Sequence, residues 1–152
     1  MKAEKLQNIH PVTFFEDLRE GMSAEYTRLV TQQEIEMFAE LTGDKNPIHL
    51  DPSFAEKSIF KTRIAHGMLI GSFISTVIGT KLHGDGALWY SQNLEFLKPV
   101  RVGDKLRITA KVIKKIDRTK TIELQTDIYN QHKQKVTTGI SVSYTHLTLP
   151  TN

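Results

Sequence analysis

The chain has 152 residues, 20 Lys+Arg against 17 Asp+Glu, a formal charge of +3 and no cysteine. That length suits one compact domain with a core of its own. The missing thiols exclude a disulfide scaffold, a Cys-ligated zinc or iron–sulfur site and a cysteine nucleophile.

Basic and acidic residues alternate and no run reaches five like charges, so no nucleic-acid stripe is expected despite a pI near 9.1. The longest apolar stretch, Ile64 to Thr80, is broken by His66, Gly67, Ser72 and Ser75. It falls short of the ~20 apolar residues a membrane span needs. The first 15 residues hold no apolar run of the kind a secretory signal carries. A cytoplasmic domain with no membrane partner is the expectation.

In chain order, residues 1–20 read as an arm whose Phe14-Phe15 pair docks on the body. Residues 24–30, with Tyr26, Thr27 and Val30, suit a first strand. Thr31-Gln32-Gln33-Glu34 is a capping box, Ile35, Phe38 and Ala39 follow at helical spacing, and Gly43 can end the turn. A helix over 32–42 follows. Residues 43–49 read as a loop, because Pro47 disfavours helix at Asn46. Asp51-Pro52 then reads as an N-cap with proline at the first helical position, opening a short helix to about Lys57.

In 67–79, Met68, Leu69, Ile70, Phe73, Ile74, Val77 and Ile78 cover nearly the whole helical circumference, the pattern of a fully buried helix. Four stretches supply its wrapper. Residues 87–97 are rich in Leu, Trp, Tyr and Phe. In 105–113, Leu106, Ile108, Ala110 and Val112 alternate with polar residues. In 120–130, Ile122, Leu124 and Ile128 share a phase, as do Val136, Ile140 and Val142 in 135–143. Short turns at Val102-Gly103-Asp104 and Gln131-His132-Lys133 make successive strands antiparallel. The expected architecture is α+β: a sheet of about five strands curled round one buried helix. The domain spans 21–142, and the Thr-rich residues 143–152 read as a flexible tail or a scar unrelated to the fold.

The most informative stretch is the 43–49 loop. Asp44 and His49, five residues apart around Asn46-Pro47, can hold one water, orient it and move its proton. The bland alternative is that Asp44 caps a turn and His49 satisfies a carbonyl. Gly67 opens the apolar helix, where free N–H groups and partial positive charge suit an oxygen that gains charge during reaction. Equally, it could only permit close packing. His66 either meets substrate or is a core or interface histidine, and Ser75 either lines a tunnel or bonds back to a carbonyl. The histidines at 10, 49, 66, 83, 132 and 146 show no metal-binding spacing, and neither a phosphate loop nor a G-x-S-x-G elbow is present.

Residues 38–52, Phe-Ala-Glu-Leu-Thr-Gly-Asp-Lys-Asn-Pro-Ile-His-Leu-Asp-Pro, resemble the hydratase-2 motif of MaoC-like (R)-specific enoyl-CoA hydratases. Ile64-Ala65-His66-Gly67-Met68-Leu69 is similar to the start of that family's central helix, and residues 91–104 to the strand and turn after it. The N-terminal half also resembles the hydratase-like module fused ahead of phosphate acyltransferases in some bacterial proteins. The resemblance covers about residues 20–142. It implies the hot-dog fold, a homodimer and reversible addition of water to a trans-2-enoyl-CoA, giving the (R)-3-hydroxyacyl-CoA. It implies Asp44 and His49 as the catalytic pair, Gly67 N–H as oxyanion donor, Ser75 as lining the active site and Asn46 as holding the catalytic loop; Asn46, His66 and Ser75 are the substrate-binding candidates. No metal or organic cofactor is implied, since the CoA or acyl-carrier-protein arm belongs to the substrate. Two alternatives stand beside it: an acyl-CoA thioesterase of the same fold, and a non-catalytic module that binds acyl thioesters.

Overall fold

A computed structural model describes residues 14–82 and 86–145. Strands β1 (Ser23–Leu29), β2 (Ala87–Gln92), β3 (Glu95–Phe96), β4 (Lys105–Ile116), β5 (Thr121–Tyr129) and β6 (Lys135–Thr145) form one antiparallel sheet. Its order is β1-β4-β5-β6-β2, with the two-residue β3 beside β2 on the same edge of β6. That β3 is the sixth strand, cut from the 87–97 stretch. The helices are α1 (Gln32–Thr42), α2 (Pro47–Leu50), α3 (Pro52–Glu56) and α4 (Gly67–Val77), the last running into a π-helical turn over Ile78–Leu82. Among the described residues no helix is long and apolar enough to cross a membrane.

Local chemistry sets the helix ends. Thr31 Oγ1 accepts from Glu34 N–H at 3.2 Å, Glu34 Oε2 accepts from Thr31 N–H at 3.1 Å, and Gly43 closes α1 at φ +82°. Glu34 also pairs with Arg28 of β1, tying α1 to the sheet. Asp51 Oδ1 accepts from the N–H groups of Ser53 and Phe54, so α3 begins where the Asp-Pro pair places it.

The core lies between α4 and the sheet. Ile70, Ile74 and Val77 meet Leu106, Ile108, Ile122, Leu124 and Ile128, all essentially inaccessible to solvent. Each such side chain contributes about 1.5–3 kcal/mol by leaving water. Phe15 and Leu18 are buried as well, so the arm docks through Phe15 more than through Phe14, which is half-buried.

Four expectations change. The 43–49 segment is not all loop: Pro47 starts the single helical turn α2, because proline is already set for the first helical position. The helix α4 is not covered all round: Met68 is 60 % exposed and Ser72 and Ser75 are exposed with it, a stripe at i, i+4, i+7. The inward face of β6 is the opposite of the one expected. Its pairing with β5 slips at Val136, so Thr137, Gly139, Ser141 and Ser143 turn inward while Ile140 and Val142 are half-buried. A one-residue bulge inverts every later side chain of a strand. Finally, β6 runs on to Thr145 and pairs there with β2, so Ser143–Thr145 belong to the sheet. Residues 1–13, 83–85 and 146–152, which include most of the arm, His83-Gly84-Asp85 and most of the tail, lie outside the described residues.

Candidate active site

The loop after α1 is built by short polar side chains. Asp44 Oδ1 accepts from Asn46 N–H, and Asn46 Oδ1 accepts from Ile48 N–H, each at 3.2 Å. These turns bend the chain so that α2 presents His49 inward. His49 is then held from outside its own segment. Its Nδ1 donates to the Ile64 carbonyl at 2.7 Å, while Ile64 N–H bonds Ile48 O and Ala65 N–H bonds Val100 O. The carbonyl accepts, so Nδ1 carries a hydrogen, and Nε2 is the ring nitrogen turned to the gap. That Nε2 stands 4.0 Å from Asp44 Oδ2.

A gap of this size has room for one water making two hydrogen bonds of about 2.8 Å. His49 is buried and Asp44 half-exposed, so the pair sits where a cavity meets solvent. The cavity, of about 670 Å³, is bordered by Asp44, His49, His66, Gly67, Phe96 and Lys98 among others. Its walls are mostly apolar, the composition expected of a small-molecule cleft.

His66 precedes α4 as its N-cap but makes no side-chain capping bond. Its ring is 2 % exposed and stacks on His49, with centroids 3.8 Å apart at 27°. Its Nε2 lies 3.0 Å from the Asp44 carbonyl. Gly67 follows, and the Phe96 ring occupies the space a side chain there would take: an added Cβ would stand 2.9–3.1 Å from three ring atoms. One donor atom from each of Asp44, His49 and His66 falls within 4.8 Å of the others, a grouping that could also hold a cation.

The structure therefore brings together Asp44, His49, His66 and Gly67, with 22 residues of sequence separating Asp44 from His66. It does not bring in the other two named candidates. Asn46 spends its side chain on capping α2 and lies outside the cavity wall. Ser75 sits eight residues, about 12 Å, along α4 from Gly67 and faces solvent in the single chain. Phe38, Phe60, Phe96 and Thr137 line the cavity without having been singled out. Their apolar or strand-periodic settings carry no mark that separates a cavity wall from core. The bland readings are also partly true: Asp44 does cap a turn, and His49 does satisfy a carbonyl, through the atoms turned away from the gap.

A central helix wrapped on one side by an antiparallel sheet defines a hot-dog domain, and an Asp–His pair sits at its cavity mouth. The chain belongs to the MaoC-like domain family, whose model matches residues 14–136. Among named relatives, an (R)-specific enoyl-CoA hydratase of Rhodospirillum rubrum is 42% identical over 113 residues, 74% of this chain and 78% of that protein. The (R)-specific enoyl-CoA hydratase of Aeromonas caviae is 35% identical, covering 84% of this chain and 95% of its own. The unliganded R-hydratase of Pseudomonas aeruginosa superposes with a TM-score of 0.80 at 35% identity, covering 91% of this chain and 94% of that one.

Proposed function

We propose that this chain is an (R)-specific enoyl-CoA hydratase, adding water reversibly to a trans-2-enoyl-CoA. The observation that carries the reading is the 4.0 Å gap between His49 Nε2 and Asp44 Oδ2, at the mouth of a largely apolar cavity, in a chain 42% identical to such a hydratase. In this mechanism Asp44 and His49 hold the water. One takes its proton as oxygen attacks C3, and a proton is delivered at C2. The two groups are within reach of one molecule, so both transfers draw on a single positioned site. The Gly67 N–H at the start of α4 stabilises the thioester oxygen as it gains negative charge, aided by the positive end of the helix. No metal or organic cofactor takes part, and the CoA or acyl-carrier-protein arm enters with the substrate.

The working unit is a homodimer. Two features of the single chain support this: the uncovered α4 stripe of Met68, Ser72 and Ser75, and the edge strand β2 with Leu88, Trp89 and Tyr90 exposed. A second copy would cover both and would bring Ser75 into an interface. Sedimentation should give twice the 17.3 kDa of one chain.

The test is the loss of enoyl-thioester absorbance when the protein meets crotonyl-CoA, with chiral analysis of the product. The (R)-3-hydroxybutyryl-CoA is expected. Thiol release without hydration would move the function to a thioesterase, and ligand-induced thermal stabilisation without turnover to a binding module.

A further inference from the structure

We propose that His66 is a positioning residue, which sets the geometry of the Asp44–His49 pair without itself exchanging protons with substrate. The inference rests on the hydratase reading and deepens it. Three observations carry it. The Asp44 carbonyl can only accept, so the 3.0 Å contact makes His66 Nε2 the donor. This bond holds the backbone of the residue whose carboxylate faces the gap. The His66 ring is also the floor on which His49 lies, stacked at 3.8 Å, and it meets the tilted ring of Phe38 at 4.8 Å. Finally, His66 Nδ1 is buried with no hydrogen-bond partner among the described residues. A hydrogen there would be a buried donor with no acceptor, so the bonded hydrogen of the ring is the one on Nε2.

The consequence is a division of labour between two adjacent histidines. His49 donates from Nδ1 to Ile64 and leaves Nε2 free at the gap. His66 spends its Nε2 on the Asp44 carbonyl. The carbonyl bond joins the catalytic loop to the start of α4, and hence to Gly67, the next residue. One side chain therefore links all three groups the reaction uses. A catalytic group displaced by about 1 Å can cost on the order of a hundredfold in rate.

The experiment compares His66→Gln, His66→Asn and His66→Phe in the full chain. Gln carries an amide N–H with about the reach of Nε2, Asn has the same chemistry one bond shorter, and Phe keeps the stack without the donor. The expected result is a kcat loss of about tenfold to a hundredfold for Asn and Phe, KM little changed, and substantial rescue by Gln. Equal loss in Gln and Asn, or full activity in Phe, overturns the proposal. So does a raised KM with kcat intact, which would make His66 a substrate contact. A wild-type readout independent of activity separates this from failure of the hydratase reading. Long-range ¹H–¹⁵N spectra of the histidines should show His66 as the Nε2–H tautomer and His49 as the Nδ1–H tautomer. The reverse assignment for His66 overturns the proposal even if the protein hydrates crotonyl-CoA. The expected assignment supports it even if a substituted chain fails to fold.

Discussion

The ring of Phe96, on the short strand β3, occupies the space that a side chain at Gly67, the start of α4, would take. A Cβ at position 67 would meet the ring at 2.9 Å, and the ring is the half-exposed end of a movable side chain. The Gly67→Ala chain is therefore expected to fold, with Phe96 displaced and kcat/KM on crotonyl-CoA lowered roughly tenfold to a hundredfold. Adding Phe96→Ala should return part of the stability that Gly67→Ala costs, because the two sites touch. Urea unfolding of the two single variants and the double variant checks the coupling. Additive losses would mean that the contact is not what opposes a side chain at 67.

Removing either member of the catalytic pair tests the site more directly. Asp44→Asn keeps an oxygen for the Asn46 N–H, and the residue is half-exposed, so the thermal midpoint should stay within a few degrees. His49→Gln keeps a polar side chain but loses the ring stacked on His66. Each is expected to lower crotonyl-CoA hydration by about 10²–10⁴-fold. Wild-type rates in Asp44→Asn would remove that residue from the mechanism.

Gly139 offers a contrasting case. A Cβ there would stand 1.9 Å from the carbonyl oxygen of Asn93, a backbone atom held by two bonds between Asn93 and Ile140. Nothing movable can yield. Gly139→Ala is expected to destabilise the fold by at least the upper end of the roughly 1–3 kcal/mol usual for overpacking. Chemical denaturation would show this as a lowered midpoint at unchanged slope.

The α1 capping box gives a smaller, local effect. Thr31→Ala leaves the Glu34 N–H without its acceptor and should cost about 1 kcal/mol. Glu34→Ala should cost more, because Glu34 also pairs with Arg28 across to β1. The double variant should lose less than the sum.

Chelation separates two uses of the Asp44, His49 and His66 grouping. If catalysis runs through the carboxylate and imidazole alone, protein treated with EDTA and then dialysed keeps its full rate with crotonyl-CoA. Activity lost on chelation and restored by one divalent metal would reassign the three residues as ligands.

Local patterns in the sequence by themselves determined much of this protein. The capping box and Gly43 bound α1 at 32–42, since both ends are satisfied by atoms within a few residues. Period-two alternation placed Leu106, Ile108, Ala110 and Val112 of β4 and Ile122, Leu124 and Ile128 of β5 on the core face, where they are. The seven residues 43–49 carried Asp44 and His49 as a pair, because their separation is set by short-range turns. Other features belong to the tertiary structure alone. The bulge at Val136 inverts the later face of β6, and no hydrophobic pattern marks where pairing will slip. The α4 stripe stays uncovered because the sheet of one chain wraps only part of the helix, whatever the helix's own composition. Above all, His66 meets Asp44 and His49 only because Ile64 and Ala65 are clamped between α2 and Val100. A contact between residues 22 apart in the chain depends on where the sheet sends the backbone, and that is decided only when the whole domain packs.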